Sequence, residues 1–226
     1  MIRTALAVAA FGAAAAASTP VPLFEEQGIN QQVAQIDLAG VHFGDTVEQV
    51  RETMRKDGWT VEIEQTFGGM SFRDKLSYAI SLRHGTRFTR KDRNVPAVTE
   101  YRKGPQTLEV TYCAHSRGHL VCKISYSHAN ATSGALARDF ENKVAEKFSR
   151  TPLIQLSRTR YCLSQDSRCF RARERGEIES DYPSVWSSPG TGTVNLERGE
   201  LGRKLFDEDL RNAIERATGG LKDVSL

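Results

Sequence analysis

Between residues 97 and 126 the hydrophobic period drops to two, and this stretch constrains what the rest of the chain can build. Segments 97–103, 106–114 and 120–126 are separated by the turn-forming pairs Gly104-Pro105 and Arg117-Gly118. Strands joined this tightly pair as antiparallel neighbours, because a parallel pair needs a crossover of a dozen or more residues. In the middle segment Leu108, Val110, Tyr112 and Ala114 alternate with Thr107, Glu109, Thr111 and Cys113. One face of this sheet is therefore apolar.

Four segments have the helical period instead. In 40–59, GVHFGDTVEQVRETMRKDGW, Asp45 sits where an N-cap belongs and Glu48 completes a box-like pair. Val47, Val50 and Met54 fall on one face, and Arg55 and Lys56 suit the last turn. Gly58 stops the helix, and 59–64 re-enters strand. The capping logic recurs at Ser71 and Asp74, with Phe72, Leu76, Ala79 and Ile80 on one face and an end near His84-Gly85. A third helix follows Ser133, with the apolar stripe Leu136, Phe140, Val144, Phe148 and an outer Asp139–Lys143 pair. The last runs from an Asp207 cap through Leu210, Ala213, Ile214 and Ala217 to Gly219.

Elsewhere 36–43 reads as a short strand or an extended lead-in, and 86–96 as an exposed basic loop. Segments 153–162 and 169–173 read as paired strands, 177–192 as irregular, and 193–196 and 201–206 as short strands. The fold class is α+β: an antiparallel sheet with about four helices. An echo of helix-then-strands on either side of residue 130 leaves open two similar sub-lobes on one core.

Arg3 precedes an alanine-dominated apolar run over 5–17, followed by Ser18-Thr19-Pro20. This pattern predicts a secretory signal over 1–17, cleaved after Ala17, then a loose lead over 18–35 and a globular region over 36–226. A periplasmic or secreted location follows, with no stable membrane insertion after cleavage, since no later run is long enough to span a bilayer. The net charge of +3 is too small to argue for nucleic acid as a partner.

In an exported chain four cysteines are read first as two disulfides. The local solution is Cys113–Cys122 and Cys162–Cys169. A two-residue turn at Arg117-Gly118 would set Cys113 directly opposite Cys122, close enough to bridge. That register puts Leu120, Ile124 and Tyr126 on the face of Glu109 and Thr111. Either both faces are covered or a bulge shifts the pairing by one. The same hairpin, CAHSRGHLVC, also offers Cys113, His115, His119 and Cys122 as metal ligands, provided the thiols stay reduced. Beyond it, Arg158 and Arg160, or Arg171 and Arg173, would share a strand face, giving either an anionic-partner surface or a solvated face.

No nucleophile elbow, zinc-protease helix, phosphate loop or dinucleotide fingerprint is present, and no cofactor is expected. His42, His84 and His128 stand alone in the sequence, and Asn130-Ala131-Thr132 matches a glycosylation sequon. The leading expectation is a non-catalytic exported protein that binds a macromolecular partner, a protein or an envelope polymer. The alternatives are an envelope-acting hydrolase or transferase with a site scattered in sequence, and a metal-binding module at the hairpin.

The stretch Gly40-Val41-His42-Phe43-Gly44, a polar cap, then Glu48 and Val50, resembles the repeated unit of BamE/SmpA-type outer-membrane assembly domains and β-lactamase-inhibitor-like domains. The resemblance covers about twenty residues and implies helices against a small antiparallel sheet. It also implies a non-enzymatic role in which a surface is presented to protein partners. This chain lacks the lipid-anchoring cysteine of the assembly lipoproteins and has Phe43-Gly44 where that family often has Gly-Met.

Overall fold

A computed structural model describes residues 32, 35–66, 70–92, 94–157, 159–163, 170–172, 178–180, 184–188, 190–197 and 199–219. For 170–172, 178–180, 188 and 199–206 it describes the backbone alone. Within these residues the fold is α+β, with four helices, an eight-stranded antiparallel sheet and two small two-stranded pairings.

The predicted three-stranded meander forms the sheet's first half. Strands β4 (Pro96–Lys103), β5 (Gln106–His115) and β6 (Gly118–His128) pair in sequence order. The full order is β3-β4-β5-β6-β12-β11-β8-β7, with β3 Thr60–Thr66, β7 Ile154–Ser157, β8 Arg160–Cys162, β11 Ser184–Ser188 and β12 Thr193–Glu197. The pairing of β12 with β6 joins the two halves of the chain in one ladder. Separately, β1 (Asp37–Leu38) pairs with β2 (Val41–His42), and β9 (Phe170–Ala172) with β10 (Ile178–Ser180).

The main core lies on the face of Leu108, Val110 and Tyr112. It includes Val50 and Met54 of helix α1 (Val47–Lys56) and Val144 and Phe148 of helix α3 (Gly134–Phe148). Helices α2 (Phe72–His84) and α4 (Gly199–Thr218) pack on each other through Ala79, Leu210 and Ile214. Helix α2 is built as its sequence predicts: Ser71 Oγ accepts from Asp74 N at 3.0 Å, and Gly85 ends it at φ 59°.

Several boundaries differ from the sequence reading. Helix α1 is capped by Thr46 with Gln49, not Asp45 with Glu48. Asp45 is engaged upstream: its Oδ2 accepts from His42 N at 2.8 Å. Residues 44–46 also extend β6 past the end of β12, with Gly44 N donating to Val121 O (3.1 Å) and Val121 N to Asp45 O (2.9 Å). A residue held in that pairing is extended, so the helix starts one position later.

The β5–β6 turn is Ser116-Arg117, since His115 pairs with Gly118, and a bulge between the Thr111–Lys123 and Tyr112–Val121 pairs leaves Cys122 as the extra residue. The bulge brings Ile124 and Tyr126 onto the face of Val110 and Leu108, while Leu120, on the turn side of it, pairs with Cys113; Leu108, Val110, Leu120 and Ile124 are all fully buried. Segment 153–162 is a hairpin, β7–β8, rather than one strand, and β9 pairs with β10 instead of with it. The segment read as irregular contributes β10 and β11. Residues 201–206 are helical, and α4 already begins at Gly199 with Asp207 inside it. Its Glu, Leu, Arg and Lys are good helix formers, which a short strand reading undervalued.

Candidate functional site

The hairpin that drew attention in the sequence is closed by a disulfide. Cys113 and Cys122 are bonded across the bulge with Cα atoms 5.8 Å apart, so Cys122 faces Leu120's partner diagonally rather than squarely. Both sulfurs are therefore unavailable as thiolate ligands, and the four-residue metal set of the sequence reading is not formed. Among the described residues no group of three or more His, Cys, Asp or Glu is arranged around a metal position. His115 works structurally: its Nδ1 accepts from Arg117 N at 3.2 Å and its Nε2 lies 3.8 Å from Asp209 of α4. Burial lowers the pKa of both His115 and His119.

The other cysteine pair is only half visible. Cys162 is fully buried and carries no free thiol, while Cys169 lies outside the described residues. Arg158 and Arg173 also lie outside them. Arg160 is in β8, opposite Ser157 and Trp186, and the Arg171 backbone is in β9, opposite Glu179. These strands belong to different sheets, so Arg160 and Arg171 do not share one ladder.

What the fold does create is a groove that no single segment announces. A cavity of about 530 Å³ opens between α3 and the sheet face, with the β1–β2 turn at one end. The helix wall is Leu136, Phe140, Val144 and Phe148, the apolar stripe predicted from sequence. Only part of that stripe is core: Val144 and Phe148 are buried, whereas Leu136 is 59% exposed and Ala137 takes the inner position. The opposite wall brings Trp59, Tyr126 and Val194 together from three distant segments.

The aromatic rings are in contact. Tyr126 and Phe140 lie parallel with centroids 6.2 Å apart, and Trp59 meets Tyr126 edge-on at 6.4 Å. Burial raises the Tyr126 pKa, keeping its hydroxyl neutral. Along the rim, one helical row out from the stripe, Lys143 pairs with Asp139 at 2.8 Å and Lys147 with Asp37 at 2.9 Å. Two cations and two anions leave the rim charge-balanced. Gln106, His128 and Asn130 complete the polar lining.

Chemically this is a place to bury an apolar group. Among the described residues the lining contains no Ser, Thr or Cys, and its lysines and Asp139 are held in ion pairs, which leaves Tyr126 and His128 as its remaining titratable side chains. The sequence signal that could have found it was the stripe on α3, which is longer than the core needs. The partners Trp59, Tyr126 and Val194 had no such signal, because their convergence depends on sheet order.

No family model matches the chain, and no curated protein and no solved structure shows significant similarity to it.

Proposed function

We propose that this is an exported, non-catalytic binding protein that engages a macromolecular partner by taking one of its apolar groups into the groove beneath α3. One observation carries the reading: an aromatic-floored cavity of about 530 Å³ whose lining among the described residues is mainly apolar and whose rim charges cancel. That volume falls in the range of ligand-binding clefts. Binding there would rest on apolar contact, with the polar ends of the groove setting orientation. The resemblance of 40–59 to envelope-assembly domains points the same way.

The Cys113–Cys122 disulfide is compatible with an oxidising compartment outside the cytoplasm. Among the described residues no helix is long and apolar enough to cross a membrane. The test is a crosslinked pull-down from the native envelope with wild type, Leu136→Glu and Phe140→Ala. Leu136 is exposed, so its replacement should leave the fold intact while placing a charge at the groove mouth. A partner recovered by wild type and lost by both variants supports the reading; equal recovery by all three overturns it.

A further inference from the structure

The chain's small positive charge is concentrated in one place. Residues 70–92 hold six Lys and Arg against two Asp, a net +4, whereas the whole chain is +3, so everything else together nets −1. Both carboxylates of this stretch are engaged within the fold. Asp74 is fully buried in the first turn of α2, where its Oδ1 accepts from Lys91 N at 2.9 Å and its Oδ2 from Asp92 N at 3.2 Å. Asp92 Oδ2 accepts from Ser71 Oγ at 2.6 Å, and Arg90 Nε lies 3.7 Å from Asp74 Oδ2. These bonds fasten the basic loop after α2 back along the helix. The cations remain outside: Arg87 and Lys91 are exposed, and among the described residues no carboxylate pairs with Lys75, Arg87 or Lys91.

Apolar side chains stand among these cations. Lys75, Tyr78 and Leu82 are spaced i, i+3, i+7 on one face of α2, about a quarter turn from the row of Phe72, Leu76 and Ala79 that meets α4. Leu82 is 57% exposed and Tyr78 36%. Phe88 of the loop packs edge-on against Tyr78, with centroids 5.4 Å apart, and so joins loop and helix in a single patch.

We propose that this face of α2, with residues 86–92, docks the protein on an anionic phospholipid surface, lying on the membrane rather than crossing it. Lys75, Arg87 and Lys91 are drawn to headgroup phosphates, while Leu82 and Tyr78 enter the boundary between headgroups and acyl chains. A soluble polyanion would use the same charges and gain little from exposed leucine. None of the residues lining the groove under α3 lies in 70–92, so membrane docking and partner capture use separate surfaces of the chain.

The test is co-sedimentation of the chain from residue 18 onward, so that the apolar run over 5–17 cannot supply the binding. The vesicles are dioleoylphosphatidylcholine with and without dioleoylphosphatidylglycerol, at low and high salt. Binding to the phosphatidylglycerol vesicles alone, weakened by salt, is expected. Arg87→Gln/Lys91→Gln should weaken it roughly 20-fold, at about fivefold per cation near the surface. Leu82→Ser should weaken it roughly fivefold, for the apolar area no longer taken out of water. All three side chains are exposed, so unchanged urea midpoints are expected. Leu136→Glu, at the groove, should leave vesicle binding as it is.

Equal binding to both vesicle types, or binding to neither, overturns the proposal. So does a Leu82→Ser protein that binds like wild type while Arg87→Gln/Lys91→Gln is lost. The patch would then read charge alone, and capture of wild type on dextran sulfate would assign it to an acidic polymer. Loss through Leu136→Glu with both patch variants unaffected would move lipid binding to the groove and overturn the patch.

Discussion

Gly192 sits where a side chain has no room. Its φ is +62°, and a Cβ built on it would lie 2.7 Å from His128 O and 2.9 Å from both Ala131 Cβ and Ala131 O. Two of those three atoms are backbone, so no side-chain rotation relieves the clash. Gly192→Ala should therefore cost roughly 2–4 kcal/mol, combining left-handed strain with overpacking. Gly190→Ala is the control, because Gly190 shares the positive φ (+73°) but meets nothing closer than Thr132 O at 3.8 Å. It should cost about 1 kcal/mol by the backbone effect alone. Urea unfolding of the two variants separates these effects. A second residue-scale prediction concerns His42. Asp45, whose Oδ2 is 3.7 Å from His42 Nδ1, is the leading cause of a raised His42 pKa. A His pKa raised by folding contributes stability that is fully present below the unfolded value near 6.5 and disappears as pH rises through the folded value. Asp45→Asn should thus lose more stability at pH 5.5 than at pH 8.5, and an NMR titration of His42 should shift downward. Asp45 also accepts from His42 N, so some loss common to both pH values is expected.

At the scale of elements the β5–β6 hairpin does two jobs. Its disulfide crosslinks the bulge, and its tip holds α4 through Ser116 N donating to Asp209 Oδ2 at 2.8 Å. Closing a loop of this length stabilises by roughly 2–3 kcal/mol in the chain-entropy account. Cys113→Ala/Cys122→Ala should lose about that much in urea and show faster amide exchange at the hairpin tip. Free thiols at these two positions in the native protein, read by mass with and without reductant, would refute the bridge. This hairpin also illustrates how much the sequence allowed. The Cys113–Cys122 pairing was legible from spacing, and the conflict of Tyr126 with Glu109 and of Ile124 with Thr111 already required a bulge or a doubly covered sheet. The position of the bulge was not legible from the strand pattern; next to it, residues 44–46 pair with the far edge of β6 at Val121. The same distant pairing moved the α1 cap from Asp45 to Thr46, two residues equally suited to the role. Helix α2, with a serine cap and a glycine stop, was read almost to the residue. The groove lay beyond reading, since Trp59, Tyr126 and Val194 meet only once β12 has inserted beside β6.

For the molecule as a whole, the β6–β12 ladder decides whether the two halves of the chain are separate folding units. Five residue pairs, from Thr193–Ser127 to Glu197–Lys123, run along it. Val194 and Leu196 of β12 lie in the same core as Ile124 of β6 and Val50 of α1, all at 2% exposure or less. The loop that leads into β12 is locked to the first half as well, with His128 N donating to Gly192 O at 2.9 Å. A fragment ending near residue 130 would leave β6 with an unpaired edge and would expose Leu108, Val110 and Ile124 where α3 and β12 covered the sheet. The echo of helix-then-strands on either side of that residue thus marks two contributions to one core. The full chain should unfold in a single transition, with far-UV dichroism and Trp59 fluorescence giving coincident urea curves. Fragment 36–130 should show no cooperative transition of its own. Separate midpoints in the full chain, or a folded fragment 36–130 with a sigmoidal urea curve, would show that the halves hold independent cores. In that case the groove, whose walls come from both halves, would form only after the two had docked, and binding of a neutral apolar dye beside Trp59 would lag behind recovery of the dichroism signal on refolding. In a single cooperative unit the two recover together.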